Sequence, residues 1–166
     1  MNLSPSPQQT CTSEQPLTSK TPPGGRPIVL DTNVVLDWLL FHDPSSAHFA
    51  GAIARRELRW VASLAMRDEL AAVLRRGLGQ AHASRADAAT VLAAWDAYTT
   101  WVAEPSALPA AMGLQCSDRD DQMFLELAHA EGARWLLSRD RAVLKLARRA
   151  ERFGILISVP ERWSAP

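Results

Sequence analysis

The sequence is poor in several features that would assign a protein to a class at once. Its 166 residues carry no formal net charge, which excludes a protein that coats nucleic acid through gross positive charge. No apolar run reaches the roughly 18 residues that cross a bilayer, so a transmembrane protein is excluded too. The two cysteines, Cys11 and Cys116, lie in unlike contexts and offer no disulfide framework. The expected location is therefore the reducing cytoplasm.

Several catalytic motifs are also missing. The chain has neither a GxxxxGK[ST] phosphate-binding loop nor a GxSxG nucleophile motif. There is no CxxC, and the histidines lack the spacing of zinc ligands. These histidines are His42, His48, His82 and His129. Cys116 has no visible activating partner, so we expect a packed thiol and no nucleophile.

The first 26 residues differ in composition from the rest. Ser, Thr, Pro, Gln and Gly make up 18 of them, and no apolar core of a signal peptide is present. Such a segment cannot bury a core, so we expect a disordered tail over residues 1–26. The whole chain is 47% hydrophobic, which is enough to bury a core. The remainder fits one folded domain over residues 27–166.

That domain alternates between short apolar runs and amphipathic segments. Strands are predicted at 27–30, 58–63, 134–138 and 155–159. Helices are predicted at 32–41, 45–56, 65–76, 86–103, 118–131 and 141–150, with a loop and a short strand within 103–117. Strands separated by helices pair in parallel through right-handed crossovers. The sequence therefore predicts an α/β fold, with a central parallel sheet of four or five strands flanked by helices in an α/β/α sandwich.

Two aspartates directly follow predicted strands. Asp31 ends the first strand, and Asp140 follows the strand around residues 134–138. Ligands of open α/β sheets bind beyond the carboxyl ends of the strands, where both acids would lie. An aspartate before a helix also caps its free N–H groups, which explains either residue taken alone.

A glutamate and a third aspartate lie at the edges of predicted buried faces. Glu69 borders the apolar stripe of Met66 and Leu70, where an acid needs a partner unless its head extends to solvent. Asp121 precedes Phe124 and Leu125 by three and four residues and shares their face. A favourable interaction with the helix dipole is the alternative explanation of Asp121.

The region of Asp121 is crowded with acids. Asp118 and Asp120 precede it, and we assign these two mainly to capping and solvent. Crowded carboxylates repel one another unless a cation offsets their charge, and sites with oxygen ligands alone suit Mg²⁺ or Mn²⁺. The sequence therefore predicts a divalent metal site.

Four segments in order resemble the PIN domain family. IVLDTNVVLDWLL resembles the opening strand and its Asp-Thr-Asn motif. SLAMRDELAAVLRR is similar to the helix with the family glutamate, and CSDRDDQMFLELAHAEGARWLLSRD to the segment with the third and fourth acids. ILISVPERW is similar to the closing strand. The resemblance covers about residues 27–163 and is closest to the bacterial VapC-like ribonuclease toxins.

The resemblance assigns an acidic quartet and two supporting residues. The quartet is Asp31, Glu69, Asp121 and Asp140. Asn33 matches the asparagine that helps to hold the first motif, and Ser138 matches a hydroxyl that orients a carboxylate or water. Many relatives carry a further aspartate where this chain has Ala142, which weakens a second metal site without removing the first.

The implied activity is metal-dependent hydrolysis of RNA that leaves a 5′-phosphate and a 3′-hydroxyl. Asp31 and Asp121 would hold Mg²⁺ or Mn²⁺ directly, while Asp140 and Glu69 would act through water or on a second ion. The metal would lower the pKa of a bound water and offset charge on the phosphate. The implied partners are RNA, a small antitoxin protein and a second copy of the chain, with no membrane. The candidate rim arginines for contact with RNA are Arg67, Arg75, Arg76, Arg139 and Arg141, and a solvated helix face is the alternative for each.

Two other functions stay open at this level. A receiver-like signalling module also binds Mg²⁺ with acids at strand ends, but it needs a lysine at the end of a late strand. The only lysine in the domain is Lys145, within a predicted helix. A PIN fold that has lost activity and serves as a scaffold is the other alternative.

The expected homodimer would use aromatic residues that a small domain cannot fully bury. The predicted helix 86–103 carries Trp95, Tyr98 and Trp101 on one stripe, and Trp38 and Leu39 lie on the first helix. Trp and Tyr are enriched at interfaces, so at least one of these tryptophans is expected between subunits. Packing in the monomer core is the alternative for each of them.

Overall fold

The structure is a computed structural model that describes residues 24–77 and 85–164. The predicted disordered tail lies outside these residues up to position 23, as do Cys11 and His82. Within the described ranges, no helix has the length and apolar character needed to cross a membrane.

Five parallel strands form the central sheet of the described residues. They are β1 (Arg26–Leu30), β2 (Leu58–Ala62), β3 (Thr99–Trp101), β4 (Trp135–Leu137) and β5 (Leu156–Ser158). Their order across the sheet is β3-β2-β1-β4-β5. In the register, Ile28 of β1 aligns with Trp60 of β2 and with Trp135 of β4. The predicted parallel α/β fold is confirmed.

Seven α-helices connect or flank these strands in the described ranges. They are α1 (Thr32–Leu39), α2 (Ala47–Ala54), α3 (Leu64–Arg76), α4 (Arg85–Tyr98), α5 (Gln122–Ala130), α6 (Arg141–Leu144) and α7 (Ala147–Ala150). Single 3₁₀ turns occur at Pro44–Ser46, Ala110–Met112, Glu151–Phe153 and Pro160–Arg162. Helices α2, α5 and α7 pack directly against β2, β1 and β5.

The predicted helix over 86–103 is too long. It ends at Tyr98, and the chain continues at once as β3, in which Thr99 and Thr100 pair with Trp60 and Val61 of β2. The β-branched threonines favour this extended backbone over another helical turn. The short strand expected within 103–117 is absent, since that segment contains only a 3₁₀ turn.

Two other predicted helices differ in their bounds. The helix over 118–131 begins only at Gln122, because the Asp118 carboxylate accepts the Asp120 N–H and holds a turn there. The helix over 141–150 is divided into α6 and α7, where the Leu146 N–H bonds the Val143 carbonyl over a tighter turn. The segment 45–56 likewise begins as a 3₁₀ turn before α2.

The aromatic residues assigned to an interface occupy three different environments. Trp95 is 1% exposed and packs edge-on against Trp60, with ring centroids 4.7 Å apart. For Trp95, the alternative of packing in the monomer core is therefore the one observed. Trp101 lies in β3 and not on the helix, and it is 44% exposed. Trp38 is half-buried against Trp60 and Tyr98.

The sheet positions the functional edge through its strand order. From β1 the chain moves to β2 and β3 on one side, and from β4 it moves to β5 on the other. The order therefore reverses between the adjacent central strands β1 and β4. In open parallel sheets this reversal opens a crevice at the carboxyl ends of the strands, which is where ligands bind.

Candidate active site

Ser138 joins the ends of the two central strands. Asp31 directly follows β1 and is 1% exposed, and Ser138 directly follows β4. The Ser138 hydroxyl donates to Asp31 Oδ2 over 2.5 Å and accepts the Asp140 N–H over 2.9 Å. This is the contact that the sequence predicts for Ser138, whose role in catalysis stays a prediction.

Asp31 and Asp140 both cap helices as well. Asp31 Oδ1 accepts the backbone N–H of Asn33 at the start of α1, and Asp140 Oδ1 accepts that of Ala142 at the start of α6. The Asn33 side chain is exposed, so Asn33 contributes to this motif through its backbone. Capping therefore contributes to both acids, but capping alone does not account for the nearly complete burial of Asp31.

Glu69 is held by a residue that the sequence interpretation missed. Thr32 Oγ1 donates to Glu69 Oε2 over 2.7 Å, which connects α1 with α3. Thr32 is buried and Glu69 half-buried, so the predicted need of Glu69 for a partner is confirmed. The available signal was the position of Thr32 inside Asp-Thr-Asn, on the first turn of a helix that follows a strand.

Asp121 occupies the N-cap position of α5 but makes no capping hydrogen bond. Burial and then the charges of neighbouring carboxylates raise its pKa to about 7. The neighbours are, in decreasing order of effect, Asp31, Asp140, Asp118 and Glu69. At one edge of the sheet, the charges of the other three predicted acids therefore all act on Asp121.

The pKa values of two other acids of the site, Asp31 and Glu69, are raised as well. Burial raises the pKa of Asp31, against the lowering effect of the Ser138 hydrogen bond, and the charge of Asp140 raises it further. Burial also raises the pKa of Glu69, with Thr32 opposing and the charges of Asp31 and Asp120 adding to the rise. Arginine enters this balance only through a small effect of Arg76 on Glu69.

The donor chemistry fits a hard divalent cation, although the side chains do not enclose one. Across residues 24–77 and 85–164, no three Asp, Glu, His or Cys side chains form a group that could hold a metal ion. The carboxylates bond instead to Ser138, Thr32 and backbone amides. Three of the four gathered carboxylates have raised pKa values, and the cluster lacks the positive charge that Mg²⁺ or Mn²⁺ supplies to oxygen ligands.

Two of the candidate rim arginines form ion pairs with acidic side chains. Arg67 forms a two-pronged ion pair with Asp96, at 2.8 Å for each bond. Arg139 binds Asp37 and Glu161, with N–O distances of 2.5 and 2.6 Å. Acidic neighbours hold both guanidinium groups, which disfavours these two candidates for RNA contact. The exposed arginines of the predicted set are Arg75, Arg76 and Arg141.

Cys116 behaves as the packed thiol that the sequence predicts. It is half-buried, and burial raises the pKa of its thiol, which disfavours the nucleophilic thiolate. Asp118 and Asp120 are exposed, and Asp118 caps the Asp120 N–H as expected.

The fold and the site define a class of protein: a parallel α/β domain that gathers four carboxylates at the switch point of its sheet. The family model of the PIN domain matches residues 27–142, a span that contains all four acids, and the chain belongs to the PIN domain family. This is a family of nucleases, so the coarse activity is hydrolysis of nucleic acid.

The receiver-like alternative does not hold, since Lys145 lies on the surface just after α6 and not at a strand end.

Two solved structures share the fold. VapBC2 from Rickettsia felis, bound to a DNA fragment from its promoter, matches with a TM-score of 0.57 and 14% identity, over 80% of this chain and 98% of that chain. PAE2754 from Pyrobaculum aerophilum matches with a TM-score of 0.52 and 15% identity, over 81% and 87%. A search of curated protein sequences gives no significant match. At these identities, the similarity to solved structures shows the fold alone.

Proposed function

We propose that the protein is a metal-dependent endoribonuclease that hydrolyses RNA phosphodiester bonds with Mg²⁺ or Mn²⁺. The observation that carries the proposal is the cluster of carboxylates at the ends of β1 and β4, where burial and the neighbouring negative charges together raise the pKa of Asp121 to about 7. Such a site repels a polyanion unless a cation is bound. Membership in a family of nucleases supports hydrolysis as the reaction.

Each acid has a distinct part in this proposal. Asp31 and Asp121 hold the ion directly, while Glu69 and Asp140 bind it through water or bind a second ion. Ser138 orients the Asp31 carboxylate, to which it already donates. The bound ion would lower the pKa of its water and offset charge on the reacting phosphate.

Thr32 adds a second orienting hydroxyl, because it donates to Glu69 in the same way. The two hydroxyls hold one buried and one half-buried carboxylate in fixed positions before any cation arrives. Side chains that support metal ligands in this manner tune both affinity and activity.

The same proposal gives the domain a boundary and partners. We assign catalysis to residues 27–166 and none of it to residues 1–26, since the family match begins at residue 27. Similarity in fold to VapBC2, together with the resemblance to VapC-like toxins, supports a toxin that a small antitoxin protein neutralises. Such a toxin would meet its RNA in the cytoplasm and act as a homodimer.

The decisive experiment is cleavage of a panel of RNAs by the wild-type protein in Mg²⁺, in Mn²⁺ and in EDTA. We expect cleavage with either metal, none in EDTA, and a loss of at least about 100-fold in Asp31→Asn, which keeps the shape of the site but removes metal-binding charge. Asp68→Asn is the matched control, because Asp68 is an exposed acid beside Glu69 and should retain the wild-type rate.

Three results would contradict the proposal. Cleavage that persists in EDTA would refute the requirement for a metal ion. Cleavage at the wild-type rate by Asp31→Asn would refute the assignment of the active site. A wild-type protein that cuts no RNA under any of these conditions would leave the inactive PIN scaffold as the explanation.

A further inference from the structure

A row of positive side chains follows the outer surface of α6 and α7. We call it the basic stripe, and it consists of Arg141, Lys145, Arg148, Arg149 and Arg152. Arg141, Lys145, Arg148 and Arg152 follow one another at intervals of three or four residues, the spacing at which helical side chains share a face, and Arg149 is adjacent to Arg148. All five are exposed.

The stripe is fixed in its orientation by the opposite face of the same segment. Val143, Leu146 and Ala150 are buried there, in the core around β5. Because the apolar side chains turn inward, the basic ones must point to solvent. Four of the basic residues, Lys145, Arg148, Arg149 and Arg152, line an open cavity of about 620 Å³ together with Glu151.

The charge of this segment contrasts with that of the whole chain. Residues 141–152 contain five basic residues and one acidic residue, whereas the protein as a whole is neutral. Arg67 and Arg139 are neutralised by ion pairs, but within the described residues no ion pair involves a member of the stripe. Like charges three or four residues apart on a helix repel, so the stripe is electrostatically unsatisfied without an anionic partner.

The stripe begins at the candidate active site. Arg141 directly follows Asp140, whose carboxylate caps α6, and the stripe continues from there along α7 to the 3₁₀ turn at Glu151–Phe153. The acidic site itself repels phosphates, so affinity for a nucleic acid has to come from positive charge beside it. The stripe supplies that charge along a line that leads away from the acids.

We propose that the basic stripe binds the phosphate backbone of single-stranded RNA and guides it into the acidic site. The inference rests on the proposed ribonuclease activity and adds the surface that holds the substrate. Recognition through phosphates alone is independent of sequence, so the stripe contributes affinity and direction, and selection of a cleavage site depends on other contacts.

Binding and cleavage are measured separately to test this. A short fluorescein-labelled oligouridylate is titrated in EDTA, where cleavage is absent, and the same proteins are then assayed for cleavage with Mg²⁺. The test variant is Lys145→Gln with Arg148→Gln, and Arg149 stays unchanged because it donates to the Gly113 carbonyl. The matched control is Arg55→Gln with Arg56→Gln, which removes two exposed positive charges at the end of α2.

We expect the stripe variant to bind RNA on the order of tenfold more weakly than wild type, and the control to bind within about twofold. Each lost phosphate contact on a single strand lowers the salt slope of the logarithm of the binding constant by about 0.7, so two contacts give about 1.4. Melting curves of both variants should match that of the wild type.

Several outcomes would overturn the inference. One such outcome is a stripe variant whose RNA affinity and salt slope equal those of the wild type. In that case, cleavage by the wild type would still uphold the proposed function. An equal loss of RNA affinity in the control variant would show that the net charge of the protein, and not the basic stripe, determines binding. Stronger stripe-dependent binding of a fluorescein-labelled poly-glutamate peptide would instead assign the stripe to an acidic protein. If the wild type binds RNA through the stripe and does not cleave it, the proposed function alone fails.

Discussion

The Ser138 hydroxyl donates to Asp31 across the carboxyl ends of the adjacent strands β4 and β1. A carboxylate as buried as Asp31 is costly to keep ionised unless donors surround it. The same hydroxyl accepts the Asp140 N–H, so one side chain fixes the positions of two acids on two strands. The positions of Asp31 and Asp140 are in this way tied to the carboxyl ends of two adjacent strands.

Ser138→Ala should weaken metal binding more than it weakens the fold. Loss of the donor removes an interaction that lowers the pKa of Asp31, so the carboxylate becomes harder to ionise. Loss of a residue that supports a metal ligand typically costs about 10- to 100-fold in metal affinity or activity. The dependence of the cleavage rate on Mg²⁺ concentration should shift by that factor, with most of the rate recovered at saturating Mg²⁺.

Ser138→Thr serves as the control for this change, since it keeps the hydroxyl at the same carbon. Its Mg²⁺ dependence should stay close to that of the wild type. An unchanged Mg²⁺ dependence in Ser138→Ala would show that the hydrogen bond to Asp31 has no part in metal binding.

Much of the site was predictable because its acids follow strands. Asp31 and Asp140 come directly after apolar runs, and parallel strands bring such positions to one edge without any knowledge of side-chain contacts. Glu69 and Asp121 needed the family resemblance, because helical periodicity alone left each on the border of a buried face. Thr32 was missed because its partner Glu69 lies 37 residues away, and local sequence does not contain that contact.

The error in the predicted helix over 86–103 has a physical origin in long-range strand pairing. Helical periodicity continues through Trp95, Tyr98 and Trp101, so the sequence predicts one helix where the chain turns into β3. The open side of β2 decided the outcome, since Trp60 and Val61 offer backbone partners to Thr99 and Thr100. Local sequence does not contain this long-range pairing, and tertiary context overrides propensity there.

The raised pKa of Asp121 gives the stability of the metal-free protein a defined pH dependence. The folded protein holds this proton up to a pKa of about 7, and the unfolded chain releases it near the usual 3.8. The folded state therefore binds more protons between these two values, and the free energy of unfolding falls as the pH rises through them. In EDTA, Asp121→Asn should be more stable than the wild type above pH 7, with a smaller difference at lower pH.

Urea unfolding at a series of pH values from about 5 to about 8 measures this effect. Asp31 and Glu69 also have raised pKa values, so some slope should persist in the variant. Mg²⁺ should stabilise the wild type most above pH 7, where Asp121 is ionised. Parallel curves for the wild type and Asp121→Asn in EDTA would contradict the assignment of the proton to Asp121.

Arg139 should contribute to stability and not to RNA binding. Its guanidinium binds Asp37, Glu161 and the Ser45 hydroxyl, which links the turn after β4 to α1 and to the C-terminal 3₁₀ turn. Partly exposed ion pairs contribute about 0.2–1 kcal/mol each, so the loss of two in Arg139→Ala should lower the free energy of unfolding by about 0.4–2 kcal/mol.

Arg141→Ala is the matched control for Arg139→Ala, because Arg141 is two residues away and exposed. Urea unfolding should show little change for Arg141→Ala, and RNA titration in EDTA should show a loss of affinity for that variant alone. The reverse pattern, with RNA binding lost in Arg139→Ala only, would mean that Arg139 leaves its ion pairs when RNA arrives.

The β3 edge is the surface that we expect between two copies of the chain. Trp101 and Tyr98 are 44% and 45% exposed there, and β3 pairs only with β2 in the described sheet. Exposed aromatic side chains beside an unpaired strand edge favour association with another chain. Light scattering at micromolar concentration should give the mass of a dimer, and Trp101→Ala should shift the mass toward that of a monomer.

Phe153→Ala is the control, because Phe153 is 40% exposed but precedes β5, the strand at the opposite edge of the sheet. Both substitutions remove a large exposed aromatic ring, so a general loss of apolar surface would affect them alike. Only a specific contact at the β3 edge makes Trp101→Ala dissociate while Phe153→Ala stays dimeric. A wild-type protein with the mass of a monomer would refute the dimer, and dissociation of Phe153→Ala alone would move the interface to the β5 edge.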